Sequence, residues 1–247
     1  MGSRLFAVAL LSLLSCSISG CIFSEEKNNH FDLDVKFSDS YGIVVEKYFA
    51  GELESTNHVT IEFDLSSNGV DLETIGVDLN DGSSPIEMDG SLTSTITVQF
   101  ISHGKYNVSV FATNDQNVRQ TVTIPIIIDL RIEWIENSTT EPEILNFNPI
   151  PNNGGEHPRM IEIQSTVTNP SVLEDLKGGQ SVQFSWTITD ELGDTCQRND
   201  AVVGDGESEM WETIHFNTYL IHDLSVIYED GQDPISINQT LMLTYDS

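Results

Sequence analysis

The side chains most able to do chemistry in this chain are carboxylates: 39 Asp and Glu stand against 10 Lys and Arg, for a formal net charge of −29. Oxygen ligands in a tight loop hold calcium, and Asp78, Asn80, Asp81 and Gly82 come nearest to that pattern. An EF-hand loop places its third ligand and its glycine one residue later, and its twelfth position is a bidentate glutamate where this chain has Asp89. The stretch is therefore expected to be a turn, and Asp205-Gly206-Glu207-Ser208-Glu209 an exposed acidic hairpin. The six histidines are scattered. His215 and His222 fall on opposite faces of any single regular strand, because side chains alternate with period two. No His/Cys cluster suggests zinc, and no metal or other cofactor is expected.

Hydrolysis would need a nucleophile beside a base, or paired carboxylates facing a cleft. The chain has no Gly-x-Ser-x-Gly elbow, no phosphate-cradling glycine loop and no His-Glu-x-x-His. Cys196, in Thr195-Cys196-Gln197-Arg198, matches no cysteine-hydrolase motif and reads as a structural or incidental thiol. With so many acids some pair will lie close by chance, so their number argues nothing. No catalytic residue is assigned, and the chain is expected not to be an enzyme.

Aromatic platforms are the remaining chemistry. Trp134 lies near the middle of the chain, and Trp211 alternates out of phase with Met210, Ile214 and Phe216. Either could present a ring to a sugar, whereas Trp186 is expected in the core. Asn107, Asn137 and Asn238 head sequons and are candidate glycosylation sites.

The elements that must position these residues begin with a leader. Arg4 and the apolar run from Leu5 precede Ile18-Ser19-Gly20-Cys21. The apolar stretch is shorter than the roughly 20 residues that span a bilayer as a helix. Ile18, Ser19, Gly20 and Cys21 resemble a prokaryotic lipobox, with Ile18 where leucine is usual. The resemblance implies that residues 1–20 are a cleaved signal peptide and that Cys21 carries lipid. Residues 21–30 then form a polar tether. Cys16 is lost with the signal, so Cys196 has no partner for an intramolecular disulfide.

From Phe31 the pattern is period two, the mark of half-buried strands. Leu33, Val35 and Phe37 alternate, as do Val59, Ile61 and Phe63, with turn signals between the runs. Val77-Asp78-Leu79-Asn80-Asp81-Gly82-Ser83, then Gly104-Lys105-Tyr106-Asn107-Val108-Ser109-Val110, is similar to PKD-type Ig-like domains over about residues 55–125. Val77 stands where that family has tryptophan, and Asn80 replaces its first turn glycine. Gly82 permits the positive φ of the turn, and Tyr106, Val108 and Val110 point to one core. Beyond it, Val182, Phe184, Trp186 and Ile188 form the clearest alternation in the chain. Pro170 to Leu176 is expected to form a helical turn or two, with Asn169 as cap.

The fold class expected is all-β: two tandem Ig-like β-sandwich domains, 31–128 and 129–247, after a cleaved lipoprotein signal peptide. The run from Ile126 to Ile135 leaves almost no linker between them. A surface this negative repels nucleic acid. The partners expected are the membrane, through lipid on Cys21, and a surface protein or glycan of unknown identity. The function expected is cell-surface or periplasmic display, spacing or adhesion. The alternative is an accessory subunit or small enzyme acting on extracellular polymers. A solute-binding lipoprotein is disfavoured by the near absence of helix-period stretches.

Overall fold

The structure is a computed structural model that describes residues 30–170 and 179–246. Cys21, the leader and nearly all of the tether lie outside the described residues, as does most of the stretch expected to turn helically after Asn169. Every regular element among the described residues is a strand, and among those residues no helix is long and apolar enough to cross a membrane.

The strands are β1 (Leu33–Phe37), β2 (Tyr41–Phe49), β3 (Glu52–Asn57), β4 (Val59–Ser67), β5 (Leu72–Asp78), β6 (Ile86–Asp89), β7 (Thr95–Phe100) and β8 (Gly104–Asn114). They continue as β9 (Arg119–Thr139), β10 (Leu145–Phe147), β11 (Met160–Thr168), β12 (Val182–Asp190), β13 (Thr195–Val203), β14 (Ser208–His215), β15 (His222–Asp230) and β16 (Ile235–Thr244). Three sheets result: β1-β4-β7, then β10-β15-β12-β13, and a nine-stranded sheet made of the path β14-β11-β16-β9-β8-β5-β6 together with β2 and β3, which branch off beside β9.

β9 joins the two halves of the chain. Its first part pairs with β8, from Arg119↔Thr113 to Ile128↔Gly104. Its later part pairs with β16 and, in parallel, with β2. The division expected after residue 128 therefore falls inside a continuous strand of 21 residues. β2 and β3, which precede that division, pair with the later half of β9 rather than with β4 or β8. Residues Phe31–Ser247 form one compact unit.

Alternation sets the cores. Ile61, Phe63 and Leu65 of β4 and Ile96, Val98 and Phe100 of β7 are buried. Tyr106, Val108 and Val110 meet them from β8, as their spacing predicts, and Phe100 packs edge-on to Tyr106 with centroids 5.1 Å apart. Gly82 takes φ 90°, and Asn80 adopts φ 54° where the PKD-type pattern has glycine; asparagine is one of the few residues that tolerates this region. Asp78 accepts the Asn80 N–H and Asp81 the Ser83 N–H, the self-bonded geometry of an Asx turn.

In the other half, Val182, Phe184, Trp186 and Ile188 line the inner face of β12. Trp186 Nε1 donates to Ser165 Oγ of β11 at 2.7 Å, across the gap between two sheets. Gln239 Nε2 of β16 donates to the same oxygen at 3.2 Å.

Three strands carry no readable period. β3 and β6 are exposed along almost their whole length, and β13 (TCQRNDAVV) is a polar strand at the end of its sheet. Such strands bury little, so nothing forces apolar residues onto alternate positions.

Candidate functional site

The outer face of the nine-stranded sheet is in register across four strands and β2. Ile214, Glu162, Met242, Arg131 and Val45 form one row from β14 to β2. Glu212, Gln164, Thr240, Glu133 and Lys47 form the next, and Met210, Thr166, Asn238, Ile135 and Phe49 the third. Alternation dictates this face, since Ile161, Ile163 and Val167 of β11 and Ile237, Leu241 and Leu243 of β16 point the other way into the core.

Between β14, β11 and β16 the face forms a groove of about 550 Å³ lined by Glu162, Gln164, Glu212, Ile214, Thr240 and Met242. Gln164 Nε2 donates to Glu212 Oε1 at 2.8 Å, which fixes both side chains on the groove wall. On the β9–β2 side, Glu133 takes both cations: Lys47 Nζ at 3.0 Å and Arg131 Nε at 3.1 Å. The groove thus offers carboxylate acceptors, an amide and a hydroxyl around two apolar side chains.

The tryptophan platforms are corrected. Trp134 is 2% exposed and stacks on Tyr48 with centroids 5.7 Å apart. Trp211 is half-buried and packs toward Trp186 at 5.9 Å. Its phase is the reverse of the one expected: Met210, Ile214 and Phe216 are exposed, whereas Trp211 pairs with core-facing Ser165 and His215 with Ile161. Partner register, not the apolar count along the strand, decides which face is inside. Trp186 is buried, as expected.

The three sequon asparagines, Asn107, Asn137 and Asn238, are all exposed. Asn107 also anchors the acidic turn, its carbonyl accepting from Asn80 Nδ2 at 2.5 Å. Asn238 stands on the outer face beside the groove.

A second constellation went unseen in the sequence. His215 and His222 do not share a strand. His215 ends β14 and His222 begins β15 in the opposing sheet, so their rings meet across the gap, Nε2 to Nε2 at 3.0 Å. Both are buried, and His222 also stacks on Phe147 at 5.5 Å. Cys196 completes the group: its Sγ and the ring nitrogens lie within 4.8 Å of one another. A bulge puts it there, because Ile188 pairs with Gln197 and Thr189 with Thr195, leaving Cys196 as the extra residue. Asp190 Oδ2 lies 4.0 Å from the thiol, while its Oδ1 accepts the N–H groups of Leu192 and Asp194, each at 3.0 Å. Burial, with His222 beside it, pushes His215 down to about 4. Burial likewise lowers His222, and it raises the Cys196 thiol, with Asp190 adding to the rise. The expectation of no His/Cys cluster rested on treating the two histidines as one strand's residues, and it is corrected here.

No protein-family profile and no curated protein matches the chain. Among solved structures, the chain is similar to one described as a carbohydrate-binding module of the β-sandwich superfamily, at 11% identity and TM-score 0.31, covering 89% of this chain and 98% of that one. It is similar to Clostridium thermocellum CbhA fibronectin(III)-like modules at 14% identity and TM-score 0.27, over 86% and 94% of the two chains. It is also similar to the Bacteroides ovatus mixed-linkage glucan utilization locus SGBP-B at 11% identity and TM-score 0.22, over 81% of this chain and 51% of that one. Likenesses at these scores bear on neither ligand nor chemistry. The chain itself is an all-β protein of sandwich-like sheets.

Proposed function

We propose that this chain is a lipid-anchored, non-enzymatic surface module that binds a neutral glycan on the outer face of β14, β11, β16 and β9. The groove between β14, β11 and β16 carries the reading. Sugars offer hydroxyls at their edges and C–H groups on their faces. Carboxylates accept hydroxyl protons in charge-assisted bonds, and Glu162 and Glu212 stand where they can do so, with Gln164 and Thr240 between. Met242 and Ile214 give the C–H face an apolar floor. A volume of about 550 Å³ lies in the usual range of small-ligand sites. A net charge of −29 selects against uronate or sulfate polymers.

The anchor in this reading is Cys21, exposing residues 31–247 to external water. Intact mass of native protein tests it: a diacylglycerol-type adduct on Cys21 is expected, and a native N-terminus elsewhere contradicts the anchor. An N-glycan on Asn238 would project from the binding face, so occupancy of that sequon and glycan binding exclude each other.

The binding test is affinity electrophoresis through gels containing soluble neutral glucan, mannan or xylan, with pectate as the anionic control. At least one neutral polymer is expected to retard the protein, and Glu212→Ala and Gln164→Ala to restore free mobility with unchanged far-ultraviolet dichroism. Retardation by pectate alone, by no polymer, or equally in both variants contradicts the assignment. Polymer shortening by the purified protein contradicts its non-enzymatic part.

A further inference from the structure

We propose that Cys196, His215 and His222 form a binding site for one zinc-class transition-metal ion that clips the two sheets of the later sandwich together. The three donor atoms already lie within 4.8 Å of one another. A tetrahedral ion with bonds of about 2.0–2.1 Å to imidazole nitrogen and about 2.3 Å to thiolate holds such donors roughly 3.3–3.6 Å apart. The two Nε2 atoms, at 3.0 Å, need only part slightly to take an ion between them. A cysteine thiolate with two imidazoles is a donor set that suits zinc and copper and is poorly suited to calcium or magnesium.

Each ligand sits on a strand, and the strands come from both layers. His215 ends β14, whose partner β11 holds it through Ile161. His222 opens β15, where it pairs with Asp190 of β12 and with Phe147 of β10. Cys196 rides the bulge that opens β13. His222 is 1% exposed and stacked on Phe147, so its ring is held in place before any ion binds. Cys196 is partly exposed and gives an ion an entry path. Asp190, whose Oδ2 accepts from the thiol at 4.0 Å, is the anion beside the site. The stabilising device also fits the chain, since Cys196 is the free thiol among the described residues and a bound ion can substitute for a covalent staple.

The bond changes balance without a redox step. The Cys196 S–H bond breaks and its proton goes to solvent; the Nε2–H of the His215–His222 hydrogen bond is also given up, that ring taking a proton at Nδ1 instead, and Sγ and the two Nε2 lone pairs then bind the ion.

The test uses the full chain, stripped with a chelator and titrated with Co²⁺ in excess Mg²⁺, so that the acidic surface is already occupied. One Co²⁺ per chain is expected, with a thiolate-to-cobalt charge-transfer band, intense visible bands of a tetrahedral site, and displacement by Zn²⁺. Zn²⁺ should also raise the melting temperature and protect Cys196 from alkylation. Cys196→Ser should remove the charge-transfer band, and His222→Gln, checked for native dichroism, should remove the tetrahedral bands. If His222→Gln does not fold, alkylation protection in the wild type still decides. Absence of the band, its survival in Cys196→Ser, or alkylation unaffected by Zn²⁺ overturns the site. Displacement of Zn²⁺ by Cu⁺ alone, with no Zn²⁺ protection of the thiol, overturns the zinc-class assignment.

Discussion

Replacing Ser165 with alanine removes one oxygen and should be felt in both layers of the later sandwich. Ser165 is fully buried, and its Oγ accepts from Trp186 Nε1 at 2.7 Å and from Gln239 Nε2 at 3.2 Å. Trp186 and Gln239 are 1% and 2% exposed, so water cannot replace the lost acceptor. A buried donor left without a partner costs about 1–3 kcal/mol. The indole N–H has no other acceptor within its bonds, while the Gln239 amide can adjust, so Ser165→Ala should cost about 1–3 kcal/mol. Urea unfolding followed by far-ultraviolet dichroism reads this as a lower midpoint with an unchanged slope. The mechanism is checked by repeating the substitution in a Trp186→Phe background, where one of the two donors is gone. There the cost should fall by about 1 kcal/mol or more. A loss below about 0.5 kcal/mol for Ser165→Ala, or equal losses in both backgrounds, refutes the claim that this oxygen ties the sheets.

Two further perturbations address the other half and the acid response. Gly76 faces Phe111 across β5 and β8, and a Cβ there would come within 2.1 Å of the ring that Arg119 caps at 3.4 Å; Gly76→Ala should lower stability by about 1–3 kcal/mol, measured by the same urea assay, and a neutral result would mean the ring moves freely. His103 is 7% exposed, lies 2.7 Å from Tyr245 Oη, and is pushed by burial from 6.5 down to about 4. The unfolded chain therefore binds a proton that the folded chain refuses between pH 6.5 and about 4, so stability is full above that window and falls as pH drops through it. At about 1.4 kcal/mol per pH unit the wild type should lose roughly 3 kcal/mol more than His103→Gln across the window, and parallel pH profiles would contradict this.

Where one strand face meets a core, the sequence was enough. Val182 to Ile188 and Tyr106 to Val110 alternate because β12 and β8 lie inside their sheets and bury one face completely. Edge position erased that signal in β3, β6 and β13. Around Trp211 the signal was present but inverted, since Met210 and Ile214 are apolar residues on the outer, exposed side of β14 and imitate a core stripe. The Cys196, His215 and His222 group was illegible for a different reason. It needs a bulge, a strand pair in opposite sheets and a short loop between them, and none of these leaves a local period. The groove was likewise invisible, because its residues come together through the pairing of three strands whose order, β14-β11-β16, does not follow the chain.

In the proposed reading a neutral glycan lies across the outer face of β14, β11 and β16. Backbone amide shifts of isotopically labelled protein, titrated with an oligosaccharide of whichever neutral polymer retards it, test this most directly. The shifts should cluster at Glu162, Gln164, Glu212, Ile214, Thr240 and Met242, which line the groove. Shifts centred instead on the exposed Phe216 and Tyr219, or confined to the β5–β6 edge, would contradict the account.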